Sequence, residues 1–207
     1  MQRFKLAALT VILLLAGAMT PVHAATIFTD SGTFETATGG STLLDDYNDF
    51  TTFTALPTVT DRGDYQIVEL SGSTAGIAGT GIQNIDGTGH FSMGANSIFG
   101  SEARFEFDMP VTALAFEYRT DAASNELVIQ SGSFSTSIFA GQTAQFFGVI
   151  FDAPVTFVDI SNIGIRSTAM DNLRTVAVPE PTSMSLAMVG IGTLLLRRQR
   201  RARTRRA

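Results

Sequence analysis

The 207-residue chain contains no cysteine and no tryptophan. Without cysteine there is no disulfide, no thiolate metal site and no thiol nucleophile, and a domain of this size can build its core without crosslinks. Histidine occurs twice, at His23 and His90, which excludes a three-histidine zinc site. The only lysine is Lys5. Between Ala25 and Val176 the basic residues are five arginines (Arg62, Arg104, Arg119, Arg166 and Arg174), against eighteen acidic residues. So acidic a segment repels nucleic-acid phosphates, and DNA or RNA is discounted as a partner. It suits solubility, or the attraction of divalent cations. Helical periodicity is also missing between Ala25 and Val176, so no helix is expected there.

What the chain does have is marked at its two ends. Arg3 and Lys5 precede an apolar run from Leu6 to Ala18, and Val22-His23-Ala24 puts small residues at the positions that signal peptidase reads. This is a signal peptide for the Sec translocon, residues 1–24, with cleavage between Ala24 and Ala25. An uncleaved anchor is the other reading, but the run is short for a span of about 20 residues.

At the other end, Val178-Pro179-Glu180-Pro181 is followed by a short apolar stretch with Gly190 and Gly192 inside it. The prolines hold the motif extended, and a helix can start at Thr182 or Ser183. Residues 183–196 are expected as a short membrane helix. Seven arginines then close the chain: Arg197, Arg198, Arg200, Arg201, Arg203, Arg205 and Arg206. Basic residues stay cytoplasmic, which puts residues 25–176 outside the inner membrane. An ordinary C-terminal anchor is the plainer alternative.

Motif, apolar helix and basic cluster, in that order after a signal peptide, resemble the PEP-CTERM sorting signal of Gram-negative bacteria. The resemblance covers residues 178–206. It implies recognition by an exosortase, a membrane-embedded protease that would cut near the motif and pass the protein to the cell surface. It also implies a setting rich in exopolysaccharide. The membrane would then hold the precursor only transiently, as with other removable hydrophobic tails.

Residues 25–176 read as one all-β domain. Ala103–Phe107 and Ser133–Ile138 alternate apolar and polar, the period of half-buried strands. Val111–Tyr118, Phe146–Phe151 and Val155–Ile160 are more continuously apolar, as in central strands, and Tyr65–Leu70 and Glu126–Gln130 are further candidates. Asp108-Met109-Pro110 and Asp152-Ala153-Pro154 are turn signals, expected as two equivalent hairpin corners. About ten strands at this spacing suggest a two-sheet antiparallel sandwich with jelly-roll connections. Residues 72–100, rich in Gly, Ser, Ala and Asn, read as loops and edge strands, or as a ligand-facing rim; short apolar elements at 82–85 and 97–99 lie within them. The succession Pro110-Val111, Leu114-Ala115-Phe116, Phe146-Phe147-Gly148 and Asp171-Asn172-Leu173 resembles exported β-sandwich domains found upstream of such tails.

Catalytic chemistry has little to stand on. His90 lies in a Gly-Thr-Gly-His-Phe context that reads as a loop, and nothing singles out one carboxylate pair for hydrolysis. The richest cluster is acidic: Asp45 and Asp46 early in the domain and Asp171 on its last strand. In a jelly roll the first and last strands often adjoin, so these three could supply oxygens to a structural calcium ion or form an ordinary solvated turn. The expected function is a non-enzymatic structural or adhesive surface protein, without a cofactor other than that possible calcium. The alternative is a calcium-stabilised carbohydrate-binding module, and a secreted hydrolase is the third reading. Three tyrosines and sixteen phenylalanines suit a core better than a sugar platform.

Overall fold

The computed structural model describes residues 25–49, 52–71, 75–78, 85–94, 101–120, 125–163 and 167–178. The expected signal peptide, Pro179 to Pro181, the helix expected at 183–196, the arginine cluster, residues 82–84 and residues 97–99 lie outside them. Among the described residues no helix is long and apolar enough to cross a membrane.

The elements follow in the order β1 (Thr26–Phe28), α1 (Ser31–Thr38), β2 (Thr42–Asp45), β3 (Thr54–Ala55), β4 (Val59–Asp61) and β5 (Tyr65–Ser71). Then come β6 (Ala75–Ala78), β7 (His90–Met93), β8 (Ser101–Thr120), β9 (Asn125–Ser131), β10 (Phe134–Ala140), β11 (Gln145–Asn162) and β12 (Thr168–Ala177). Every strand pair is antiparallel. The expected all-β sandwich is what the chain forms.

Two long strands make it. β8 and β11 pair from Gln145 opposite Tyr118 to Asn162 opposite Ser101. Halfway along, the register breaks on either side of Val155, which sits opposite Val111. Asp108-Met109-Pro110 and Asp152-Ala153-Pro154 both fall at this break. The expectation of two hairpin turns is therefore corrected. The chain does not reverse at either site; each strand bends and continues. A proline has no N–H to give the ladder, so pairing lapses around Pro110 and Pro154, and the strand pair crosses from one layer to the other.

Each half of the bent pair organises a layer. In the first layer the start of β8 and the end of β11 carry β5 and β4 on one side and β9 and β10 on the other. In the second, the remaining halves carry β1 on one side and β12 on the other. β12 pairs β7 through its first residues and β2 through its last, and β6 and β3 extend from β7. The main core lies between the layers. Tyr65, Ile67 and Phe105 from the first meet Phe91, Phe116, Phe147 and Leu173 from the second. The Phe91 ring meets Phe105 edge-on at 5.4 Å.

The helix α1 departs from the expectation of no helix in this segment. Its start is capped by Asp30, whose side chain accepts from the Thr33 N–H at 2.8 Å, and Gly39 ends it at φ 73. Eight polar-rich residues are too few to show a periodic stripe. A single side chain, Phe34, anchors the helix. It is fully buried against Ala113 and Ala115 on the outer face of the second layer. Burial of a ring this size contributes about 1.5–3 kcal/mol. Gly148 makes room, since a Cβ there would stand 2.7 Å from the Phe34 ring. Arg174 on β12 then pairs with Glu35 of the helix at 3.1 Å.

Candidate functional site

The acidic residues singled out by sequence meet where β2 adjoins β12. Leu173 of β12 stands opposite Asp45, the last residue of β2. The early and late acids thus lie on neighbouring strands, though it is the second strand that adjoins the last, since β1 pairs with β11. Successive strand residues point to opposite faces, and this separates Asp45 from Asp46.

Asp45 turns inward with Leu173. Its Oδ2 accepts from Arg62 Nε at 2.7 Å and from the Tyr65 hydroxyl at 2.7 Å. Its Oδ1 accepts from Arg62 Nη2 at 2.9 Å and from the Tyr47 N–H at 2.8 Å. The side chains of Asp45 and Arg62 are only 8% and 12% exposed. Arg62 also donates to Asp49 at 2.6 Å and lies over the Tyr47 ring. These bonds hold the Arg62 guanidinium firmly protonated, the Asp45 bond above all, and keep the Asp49 carboxyl below its ordinary value through the bond from Arg62. Burial, reinforced by the neighbouring negative charge, pushes both Tyr47 and Tyr65 far above the usual phenol range. Asp45 therefore spends its oxygens on fastening the loop after β2 to β5.

Asp171 faces the other way. On β12 it stands opposite Glu117 of β8, on the outer face of the second layer. It is 0% exposed. Its Oδ1 accepts from the Asn172 N–H at 2.7 Å, while its Oδ2 has no hydrogen-bond partner among the described residues. Asn172 has φ 52 and occupies a bulge in the pairing of β12 with β8. That bulge shifts the strand register by a residue, so Leu173 returns to the core. Burial first, then the charges of Asp86, Glu117 and Asp46, push the Asp171 carboxyl up to about 7.

Asp86 was not singled out by sequence. It sits in the loop that leads into β7, and β7 pairs with β12 just ahead of Asp171. Its Oδ1 accepts from the Thr88 N–H at 3.0 Å, and the Thr88 hydroxyl also bonds to it. The loop is tied to the one after β2 by the Asn48 side chain, which accepts from the Gly89 N–H at 2.9 Å. A Cβ at Gly89 would collide with the Tyr47 carbonyl oxygen. Only glycine lets the two loops approach so closely. The Asp-Gly-Thr-Gly run at 86–89 was the available signal, but only the pairing of β7 with β12 brings it beside Asp171.

His90 is corrected from a loop position to the first residue of β7, where it is 2% exposed. Burial, with the charge of Arg119 added, lowers its pKa below the ordinary histidine value. It is a neutral side chain packed in the sheet. Among the described residues, no three acidic or histidine side chains stand ready at metal-ligand spacing. The outer-face cluster is instead one buried carboxylate with three acids around it. Of the residues expected at the cleavage site and in the sorting motif, Ala25 packs against the core and the Val178 N–H donates to the Pro110 carbonyl at 2.9 Å.

No family model matches the chain, and no curated protein matches it. Solved structures do. The chain is similar to the K1 cleaved adhesin domain of Lys-gingipain from Porphyromonas gingivalis W83, at 10% identity and TM-score 0.42, over 76% of this chain and 100% of that one. It is similar to the family 29 carbohydrate-binding module CBM29-2, at 11% identity and TM-score 0.38, over 60% of this chain and 91% of that one. It is also similar to a family two carbohydrate esterase from Cellvibrio japonicus, at 12% identity and TM-score 0.37. Here the match covers 55% of this chain and spans about a third of the esterase's length. At such identities and scores these are likenesses of strand layers, and no function is drawn from them.

Proposed function

We propose that the chain is an exported, non-enzymatic surface or matrix protein, a structural or adhesive β-sandwich delivered by signal peptidase and an exosortase. The observation that carries the reading is the order of its parts. A charged n-region, an apolar run and a small-residue cut site precede the domain, and Val-Pro-Glu-Pro, an apolar run and seven arginines follow it. The geometry is compatible with cutting at both places. Thr26 already pairs with Ile150, one residue after Ala25, and Val178 directly follows the last residue of β12. Removal of both ends would leave every described strand intact.

The chemistry of the domain agrees with a non-catalytic role. Asp45 and Asp49 hold Arg62, Asp159 grips Arg104 through two bonds, and Glu35 holds Ser41 and Arg174. These carboxylates serve the fold. The carbohydrate-binding alternative has one observation in its favour. Phe53 is 57% exposed and its ring packs on Gly76, where a Cβ would collide with it. An exposed aromatic ring can stack on a sugar ring. A glycan array probed with wild type and Phe53→Ala separates the two readings.

The sorting reading is tested in a host carrying an exosortase. Intact-mass analysis should find a surface or medium form that begins at Ala25 and lacks residues 183–207. Retention of the apolar run and arginine tail in that form would overturn it. So would unchanged processing when Pro179 and Pro181 are both replaced by Ala.

A further inference from the structure

We propose that β10 is the edge at which a second copy of this chain adds to the first layer, strand to strand, about a two-fold axis at Thr136. Among the described residues five strands pair with one neighbour only: β1, β2, β3, β4 and β10. The first four are two to four residues long. Short edges offer little to pair with, and sheets blunt longer ones with charge, proline or a bulge. β10 has seven residues and none of these devices. Its pairing with β9 runs without a register shift from Phe134 opposite Ser131 to Ala140 opposite Asn125. In so acidic a domain, residues 127–151 carry no charged side chain and no proline.

The turn decides which backbone groups are free. Ser131 and Phe134 close a two-residue turn, with Gly132 at φ 57. The closing pair of such a hairpin exchanges hydrogen bonds, and bonded pairs alternate along an antiparallel ladder. Phe134, Thr136 and Ile138 thus direct their N–H and C=O groups to β9. Ser135, Ser137 and Phe139 direct theirs away from it, where no strand of the described residues receives them.

The side chains select the occupant. Phe134, Thr136 and Ile138 are half-buried, and Ser135, Ser137 and Phe139 are exposed. Phe134 and Ile138 pack against the main core at its rim. An antiparallel copy related by a two-fold axis at Thr136 sets Phe134 opposite Ile138 of the copy, and Ile138 opposite its Phe134. On the other face Ser135 meets Ser137 of the copy, and these are residues whose backbone groups are free. Thr136 meets its own equivalent. Apolar pairs with apolar and polar with polar, the matching that stabilises a sheet. A centre one residue along, at Ser137, would set Ile138 against Thr136 and Phe139 against Ser135. Two equally acidic domains can approach at this edge because it sets no carboxylates against one another. The same patch serves on both copies, so the contact closes as a dimer. Neither end of the chain takes part, so the pairing stands or falls apart from the export reading.

The test exploits the absence of cysteine. In the full-length chain, Thr136→Cys puts a single thiol on the axis. Facing residues of a pair that shares no hydrogen bonds stand about 4.5 Å apart at Cα, within the span of a disulfide. Mild oxidation should give a covalent dimer on a non-reducing gel, with twice the chain mass by mass spectrometry. Phe139→Cys is the control. Phe139 is 63% exposed and freer to collide, but in this register it lies about 20 Å from its equivalent and the variant should not cross-link. Sedimentation velocity supplies a second measurement at exposed positions, should Thr136→Cys fail to fold. Ser135→Lys/Ser137→Lys should weaken the wild-type dimer about tenfold, and Ser135→Lys/Ser137→Glu should restore it, since each lysine then faces a glutamate of the copy. A wild type that stays monomeric up to about 1 mM would overturn the interface. Cross-linking of Phe139→Cys as strong as that of Thr136→Cys would overturn the register, and a cross-linked product of any other mass would overturn the second copy as the occupant.

Discussion

Arg62 is the side chain whose loss should be felt most, and the structure sets the size of the effect. It joins the loop after β2 to the segment before β5, donating to Asp45 at 2.7 and 2.9 Å and to Asp49 at 2.6 and 3.1 Å. The two acids differ in exposure: Asp45 is 8% exposed and Asp49 is 51% exposed. Replacing Arg62 with Met keeps the packing over Tyr47 and removes the charge. Asp45 is then a buried carboxylate left with the Tyr65 hydroxyl and the Tyr47 N–H, and removing one partner of a buried pair costs about 3–5 kcal/mol. Asp49→Asn breaks only a solvent-screened contact and should cost about 0.2–1 kcal/mol. Urea unfolding followed by far-ultraviolet circular dichroism measures both. The double variant Arg62→Met/Asp45→Asn should recover part of the loss, because the stranded charge is gone. A loss under about 1 kcal/mol for Arg62→Met would refute the reasoning. A double variant no more stable than the single one would refute it as well.

Gly148→Ala places a methyl group 2.7 Å from the Phe34 ring, so α1 must shift on the sheet; a cost of about 1–3 kcal/mol is expected in the same unfolding assay. Asp171 makes stability depend on pH. Its folded pKa is raised to about 7 from an ordinary value of 3.8, so the fold keeps this proton where the unfolded chain has lost it. The contribution of this group therefore falls as pH rises from about 4 to about 7, by as much as about 4 kcal/mol. Unfolding titrations should show the wild type losing stability relative to Asp171→Asn across that window, and parallel curves would count against the burial argument. Arg104→Ala removes a two-point grip on Asp159 and a guanidinium lying 4.2 Å from the centre of the Phe157 ring. At 30% exposure that pair is partly screened, and about 1 kcal/mol is expected.

The strands of the domain could be read because their residues carry the period. Ala103–Phe107 and Phe134–Ile138 alternate in the chain as they alternate in the layers. The two Asp-x-Pro segments could not be read correctly from local chemistry. A proline ends pairing in a hairpin and in a bent strand alike, and only the opposition of Val111 and Val155 makes both sites one corner. The helix α1 was missed because its signals are its caps, Asp30 and Gly39, with one apolar anchor between them. His90 reads as loop in the sequence because Gly-Thr-Gly precedes it; its place in β7 comes from pairing of that strand with Thr168 to Met170, far along the chain.

The sequence alone determined the all-β class, the acidity of the domain and the order of charged, apolar and proline-containing segments on which the export proposal rests. Those properties reside in composition, in order along the chain and in short-range period, which need no partner to be seen. The tertiary structure decided what the acids do. Asp45 and Asp46 are adjacent and chemically identical, yet Asp45, the last residue of β2, is filled by bonds to Arg62, while Asp46, just past the strand, accepts only from the Asn48 N–H among the described residues. The loop that carries Asp86 is brought toward β12 only because β7 and β12 pair. Where a carboxylate points, and whether a donor meets it, depends on which face of the sheet it occupies, and a linear sequence does not carry that information.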